Sequence, residues 1–125
     1  MSKKADMLVR LAQLARIRSD SELKRFAAYR NHVDRLSAQQ ADHRARLGQL
    51  FADEQEFSVA ATRMASLDAG RLARELSRLD AEMTRLRPGF DAARARAMRE
   101  FGRVRVLESL SETLRAEARK KKNHL

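Results

Sequence analysis

Apolar residues recur along this chain at alternating steps of three and four. In the first half, positions 26, 29, 33, 36, 40, 43, 47, 50, 54 and 57 read Phe, Tyr, Val, Leu, Gln, His, Leu, Leu, Glu and Phe, seven of ten apolar. In the second half, positions 72, 76, 79, 83, 86, 90, 93, 97, 100, 104, 107, 111, 114 and 118 read Leu, Leu, Leu, Met, Leu, Phe, Ala, Ala, Glu, Val, Leu, Ser, Leu and Ala, twelve of fourteen apolar. The overall 43% of hydrophobic residues would put only about six there, so the second series is a sustained coiled-coil seam. Two such stripes predict an all-α fold, a long antiparallel two-helix coiled-coil hairpin.

The single proline falls inside the second series. Leu86 precedes Pro88, Phe90 follows it, and both keep the step of the seam. A reversal there would reset the phase. With the seam at heptad positions a and d, Pro88 lies at f, the outermost position, where the orphaned carbonyl of Thr84 can be hydrated and the helix can bend convex to solvent. The cost of an interior proline is about 3 kcal/mol. Large apolar side chains contribute about 1.5 to 3 kcal/mol each when fully buried, so the seam outweighs it. The second helix is therefore expected to continue through Pro88 with a kink.

The turn is then expected at ASLDAG, residues 65–70, where Ser66 or Asp68 can cap a following helix and Gly70 relaxes the backbone. The first arm would run over residues 5–64 and the second over 71–121, as one domain. Pairing about that midpoint places Gln40 and His43 opposite Phe90 and Ala93, the weakest stretch of the seam.

Composition agrees with long helices: 35% charged, 5% aromatic, four glycines. No cysteine is present, which excludes a disulfide framework and thiolate metal sites. The longest apolar runs are a few residues, too short to span a bilayer, and the start, SKKADMLVRLAQLARIRSD, lacks the continuous apolar core and cleavage site of a leader. Net charge is +10 and uneven: residues 1–62 hold 11 basic and 8 acidic side chains, residues 63–125 hold 16 and 9. Such a field favours acidic partners of any class.

Catalytic chemistry finds no foothold. The histidines are His32, His43 and His124, without the two-histidine helix spacing of a zinc protease. No phosphate loop, nucleophile elbow or paired carboxylates on a concave scaffold are present. His43, at a d position, reads as a packing or register device. No catalytic residue, cofactor or metal is expected.

Surplus apolar residues are more informative. Near the first terminus the stripe widens to include Met7, Leu8, Leu11, Leu14 and Ile17, and near the second it includes Phe101, Val106 and Leu110. Two helices cannot bury all of these, so the open end is expected to meet a third element. Leu47 and Phe51, the latter one step off the seam, form a smaller surplus toward the tip. Arg94, Arg96, Arg99, Arg103 and Arg105 form a dense cluster that reads either as a solvated face or as a docking stripe for an acidic surface.

In its basic amphipathic start (LVRLAQLARIRSDSELKRF), its mid-chain GRLARELSRLDAEM and its C-terminal ARAMREFGRVRVLESLSETLRAEARKKK, the chain resembles the small stalk proteins of flagellar and type III secretion export, the FliJ/YscO group. The resemblance covers most of the chain. It implies a cytoplasmic, noncatalytic hairpin whose open end enters the export ATPase ring, while the side near the tip contacts the export gate and escorts export chaperones. On this sequence, ring contact would fall to the apolar and basic residues of the termini, and gate contact to Leu47 and Phe51. The family is richer in aromatic residues along its arms, and Pro88 is not one of its features. Two other readings fit the same residues: a basic coiled coil that binds nucleic acid, and a self-associating scaffold or peripheral membrane-surface coil.

Overall fold

A helix with one apolar stripe needs another surface to bury it. In the computed structural model, which describes residues 3–52 and 58–123, that surface is the chain's own second helix. Helix α1 spans Lys3–Ala52 and α2 spans Val59–Asn123; the two pack against each other as an all-α helical hairpin, with no strand among the described residues.

The start of α2 is set by Ser58. Its Oγ accepts the N–H of Ala61 at 3.0 Å, and its carbonyl oxygen accepts both the N–H and the Oγ1 of Thr62 at 3.0 Å. Ser58 is thus the N-cap, satisfying donors that the first turn leaves without helical partners.

The expected turn at 65–70 is corrected by this arrangement. Residues 65–70 are helical and lie inside α2, which begins at Val59, and α1 ends at Ala52 rather than near 64. Glu54 and Phe57 of the first seam series lie outside the described residues, as does His124. Ser66 and Asp68 cap nothing; Asp68 pairs with Arg71 at 3.8 Å within the helix. Gly70 costs about 1 kcal/mol relative to Ala in a helix interior. The seam overrides it, because Ala65 and Ala69 are half-buried and Leu72 is buried, extending the a/d series toward the start of α2.

Cross-helix polar contacts define the antiparallel register. His43 Nε2 meets Glu75 Oε2 at 2.7 Å, Gln40 Nε2 donates to Asp80 Oδ1 at 2.6 Å, and Arg44 reaches the same carboxylate at 3.5 Å. His32 and Glu82 approach to 3.7 Å, and Arg16 pairs with Glu108. In heptad terms Arg16–Glu108 and Arg44–Asp80 join e positions, and His32–Glu82 joins g positions, the pairing that antiparallel helices impose. Gln40 and His43 therefore face Asp80 and Glu75, not Phe90 and Ala93. The shift follows directly from the earlier reversal.

Contacts group the hairpin into two units, Met1–Ala28 with Asp91–Leu125, and Tyr29–Phe90. In the second unit, Leu36 and Leu72 are the buried apolar residues, and Pro88 lies within continuous helix on an exposed position. Gly89 beside it has a specific use: a Cβ there would lie 3.0 Å from Tyr29 Cε1 and 3.1 Å from its Oη. The missing side chain lets the tyrosine ring lie against the backbone of α2.

In the first unit the most deeply buried seam positions are mostly small residues. Ala15, Ser19, Ala93, Ala97, Val104 and Ser111 are buried, Ala93 and Ala97 to 2% exposure. On α1 this seam runs Ala5, Leu8, Ala12, Ala15, Ser19 and Glu22, all buried or half-buried. Small side chains at these positions allow the two backbones to approach closely, which leaves the larger neighbours outside.

Candidate interaction surface

That exclusion creates the surface. Met7 is 64% exposed, Leu14 64%, Ile17 67% and Val106 59%, with Leu11, Phe101 and Leu110 also exposed. The apolar residues singled out near the termini are therefore on the outside, except Leu8, which is half-buried in the seam and is no part of the surplus.

These residues do not form one patch. Taking the seam as a and d, Leu11 and Leu110 are at g, Met7, Leu14 and Val106 are at c, and Ile17 borders them at f. Antiparallel helices place g beside g, so these six lie on one side of the first unit. Phe101 is at e, on the opposite side, together with exposed Leu23 at e and Met98 at b. Neither Leu23 nor Met98 stood out in the sequence, although their offset from the seam matches that of Phe101.

The arginine cluster divides in the same way. All five residues are exposed, but Arg96 and Arg103 are at g and Arg99 at c, while Arg94 is at e and Arg105 at b. Of the two readings of this cluster, the docking stripe would have to be two groups on different sides. The steps of two, from Arg94 to Arg96 and from Arg103 to Arg105, cross the helix, while the steps of three and four between them stay on one face.

Charge separates the units more sharply than it separates the halves of the sequence. The first unit holds 17 basic and 8 acidic side chains, net +9; the second holds 10 and 9, net +1. Positive charge and surplus apolar area thus coincide.

On the e and b side of the first unit an open cleft of about 1180 Å³ runs between the helices. Its floor is Ala5, Ala12, Ser111 and Ala118, and its rim carries Arg16, Glu108, Glu112 and Arg115. The signal for it was present in the sequence as alanine and serine at seam positions, which fill less volume than leucine. Ala118, assigned to the seam, is exposed for the same reason.

In the second unit, Leu47 is half-buried in the seam and Phe51 is 81% exposed. Val59, Met64 and Leu67 are exposed near it in sequence on the first turns of α2, residues that the expected turn had concealed. His43 is held at both nitrogens: Nδ1 donates to the Gln39 carbonyl at 2.8 Å and Nε2 meets Glu75 at 2.7 Å. A carbonyl can only accept, so the ring is protonated at Nδ1, and the carboxylate at Nε2 favours the imidazolium. The Glu75 hydrogen bond, seconded by Gln39, raises the His43 pKa above its usual 6.5, and the same contact lowers that of Glu75 below 4.5. Among the described residues no group of three or more histidine or acidic side chains is placed to hold a metal ion, and no helix is long and apolar enough to cross a membrane.

No family model, curated protein or solved structure matches this chain.

Proposed function

We propose that this protein is a noncatalytic coiled-coil stalk or escort protein of a flagellar or type III secretion export apparatus, cytoplasmic, with its open end bound to the export ATPase ring. The observation that carries the reading is the combination in the first unit of net +9 charge with large apolar residues left exposed by a small-residue seam. A stiff helix pair with such a surface works by binding. Contacts that differ between ring subunits give it different affinities for their nucleotide states, and this difference is all that is needed to bias turnover.

Gate contact falls to Leu47, half-buried, and exposed Phe51, joined by exposed Val59, which shares the e position of Phe51. The test is whether the purified protein raises the turnover of the export ATPase from the same organism and promotes its hexamer. Unchanged turnover and assembly, at concentrations where the ring forms, would refute the proposal.

A further inference from the structure

The side of the first unit defined by the g and c positions has a composition unlike the rest of the molecule. Its basic residues are Lys4, Arg18 and Arg25 on α1 and Arg96, Arg99, Arg103 and Lys120 on α2, all exposed, against one acid at these positions, Glu117. Arg25 and Arg103 also reach the seam carboxylates of Glu22 at 3.9 Å and Glu100 at 3.6 Å. The opposite side, at e and b, carries six basic and five acidic side chains. Nearly all the excess charge outside the outermost positions of α1 is therefore on one side. It is the side that also carries Met7, Leu11, Leu14, Val106 and Leu110.

The register fixes how these residues are arranged. The Arg16–Glu108 pair sets Leu14 level with Leu110 and Met7 level with residue 117. Val106 is level with Arg18. The apolar patch thus covers about eleven residues of α1, roughly 16 Å or three helical turns. Basic side chains bound it at both ends: Lys4 and Lys120 at one, Arg18 and Arg103 at the other, with Arg25, Arg96 and Arg99 beyond.

We propose that this side receives an acidic amphipathic helix of a partner protein, which completes a local three-helix bundle. Each helix offers a second seam: 7, 11 and 14 on α1 and 106 and 110 on α2 follow the same three-four steps that knobs-into-holes packing uses. The occupant would place leucine-type residues over the patch and Asp or Glu against the flanking arginines. A second copy docked through the same side would bring seven cations against seven, a juxtaposition that opposes association. An anionic membrane surface would match the charge. However, the chain has no tryptophan, and its one aromatic residue exposed in this unit, Phe101, is on the other side.

The inference does not depend on the export reading, since it concerns the chemistry of the surface and not the identity of the assembly. It is tested on the full chain with a synthetic four-heptad peptide, leucine at a and d and glutamate at e and g, by fluorescence anisotropy. Binding is expected to fall about tenfold or more on reversing Arg18, Arg96 and Arg103 to Glu. Reversing Arg94, Arg105 and Arg115 to Glu on the opposite side is expected to leave it within about twofold. Leu11→Ser with Leu14→Ser should abolish binding while leaving the charge intact. Equal losses in the two charge-reversed variants would overturn the proposal. So would no binding of the peptide at about 100 μM, dimerisation through this side, or binding confined to phosphatidylserine vesicles or single-stranded DNA.

Discussion

Gly89→Ala isolates the fit of the two helices beside the proline. At an unconstrained interior helix position, replacing Gly with Ala stabilises by about 1 kcal/mol. Here the new Cβ would be 3.0 Å from Tyr29 Cε1, 3.1 Å from Oη and 3.3 Å from Cζ. These are tighter than ordinary van der Waals contact of about 3.5–4.0 Å, so the ring must give by a few tenths of an ångström. Overpacking of this kind costs about 1–3 kcal/mol. The expected net effect is destabilisation of about 1 kcal/mol, a fall in Tm of about 3–5 °C for a chain of this size. With Tyr29→Ala as background the clash is gone, and the same substitution should stabilise by about 1 kcal/mol. The coupling in the cycle is then about 2 kcal/mol, well outside the scatter of independent sites. Urea melts followed by far-UV circular dichroism on the four proteins measure it. Stabilisation by Gly89→Ala of the same size in both backgrounds would refute the contact, and with it the register of the second unit.

Three further outcomes follow from other parts of the structure. Ser58→Ala removes the cap of α2 and should cost about 1 kcal/mol in the same melts, whereas Ser66→Ala, at the position first expected to cap, should change stability by less than about 0.5 kcal/mol. Ala97→Leu forces a large side chain into the close seam of the first unit and should destabilise by about 1–3 kcal/mol; a neutral effect would mean that the helices are not in close contact there. The His43–Glu75 pair stabilises the fold fully below the ordinary histidine value of 6.5, and this contribution disappears as pH rises through the raised folded value. It also disappears as pH falls through the lowered value of Glu75, below 4.5. His43→Gln should flatten the pH dependence of stability on the alkaline side of 6.5, read from melts across that range.

The sequence carried the seam of α2 well because large apolar residues mark it. From Leu72 to Leu114 every assigned position is buried or half-buried, and the phase holds through Pro88. The corresponding series from Phe26 to Leu50 on α1 is likewise turned inward. Legibility failed where hydrophobicity and burial part company. Between residues 5 and 22, Ala15 and Ser19 are buried and Ala5, Leu8, Val9, Ala12 and Glu22 half-buried, while Met7, Leu11, Leu14 and Ile17 are exposed. Where most seam positions are small, hydrophobicity alone does not show which face closes. The turn was misplaced because Gly70 and the Ser–Asp pair before it resemble a break, and an isolated glycine in a helix is cheaper than losing a seam. The surplus at the termini was legible as surplus, but its division into two sides depends on a register that only cross-helix partners such as Arg16 and Glu108 reveal.

The interaction surface exists only if α1 and α2 are aligned in the first unit as Arg16–Glu108 requires. Spin labels at residues 13 and 112, and in a second sample at 13 and 122, measure that alignment directly in a chain with no native cysteine. The account predicts that the 13–112 separation is the shorter of the two, with the other longer by up to about 15 Å, the rise of ten helical residues. A shorter 13–122 separation would restore a reversal near residues 65–70, dissolve the basic apolar face, and contradict the account.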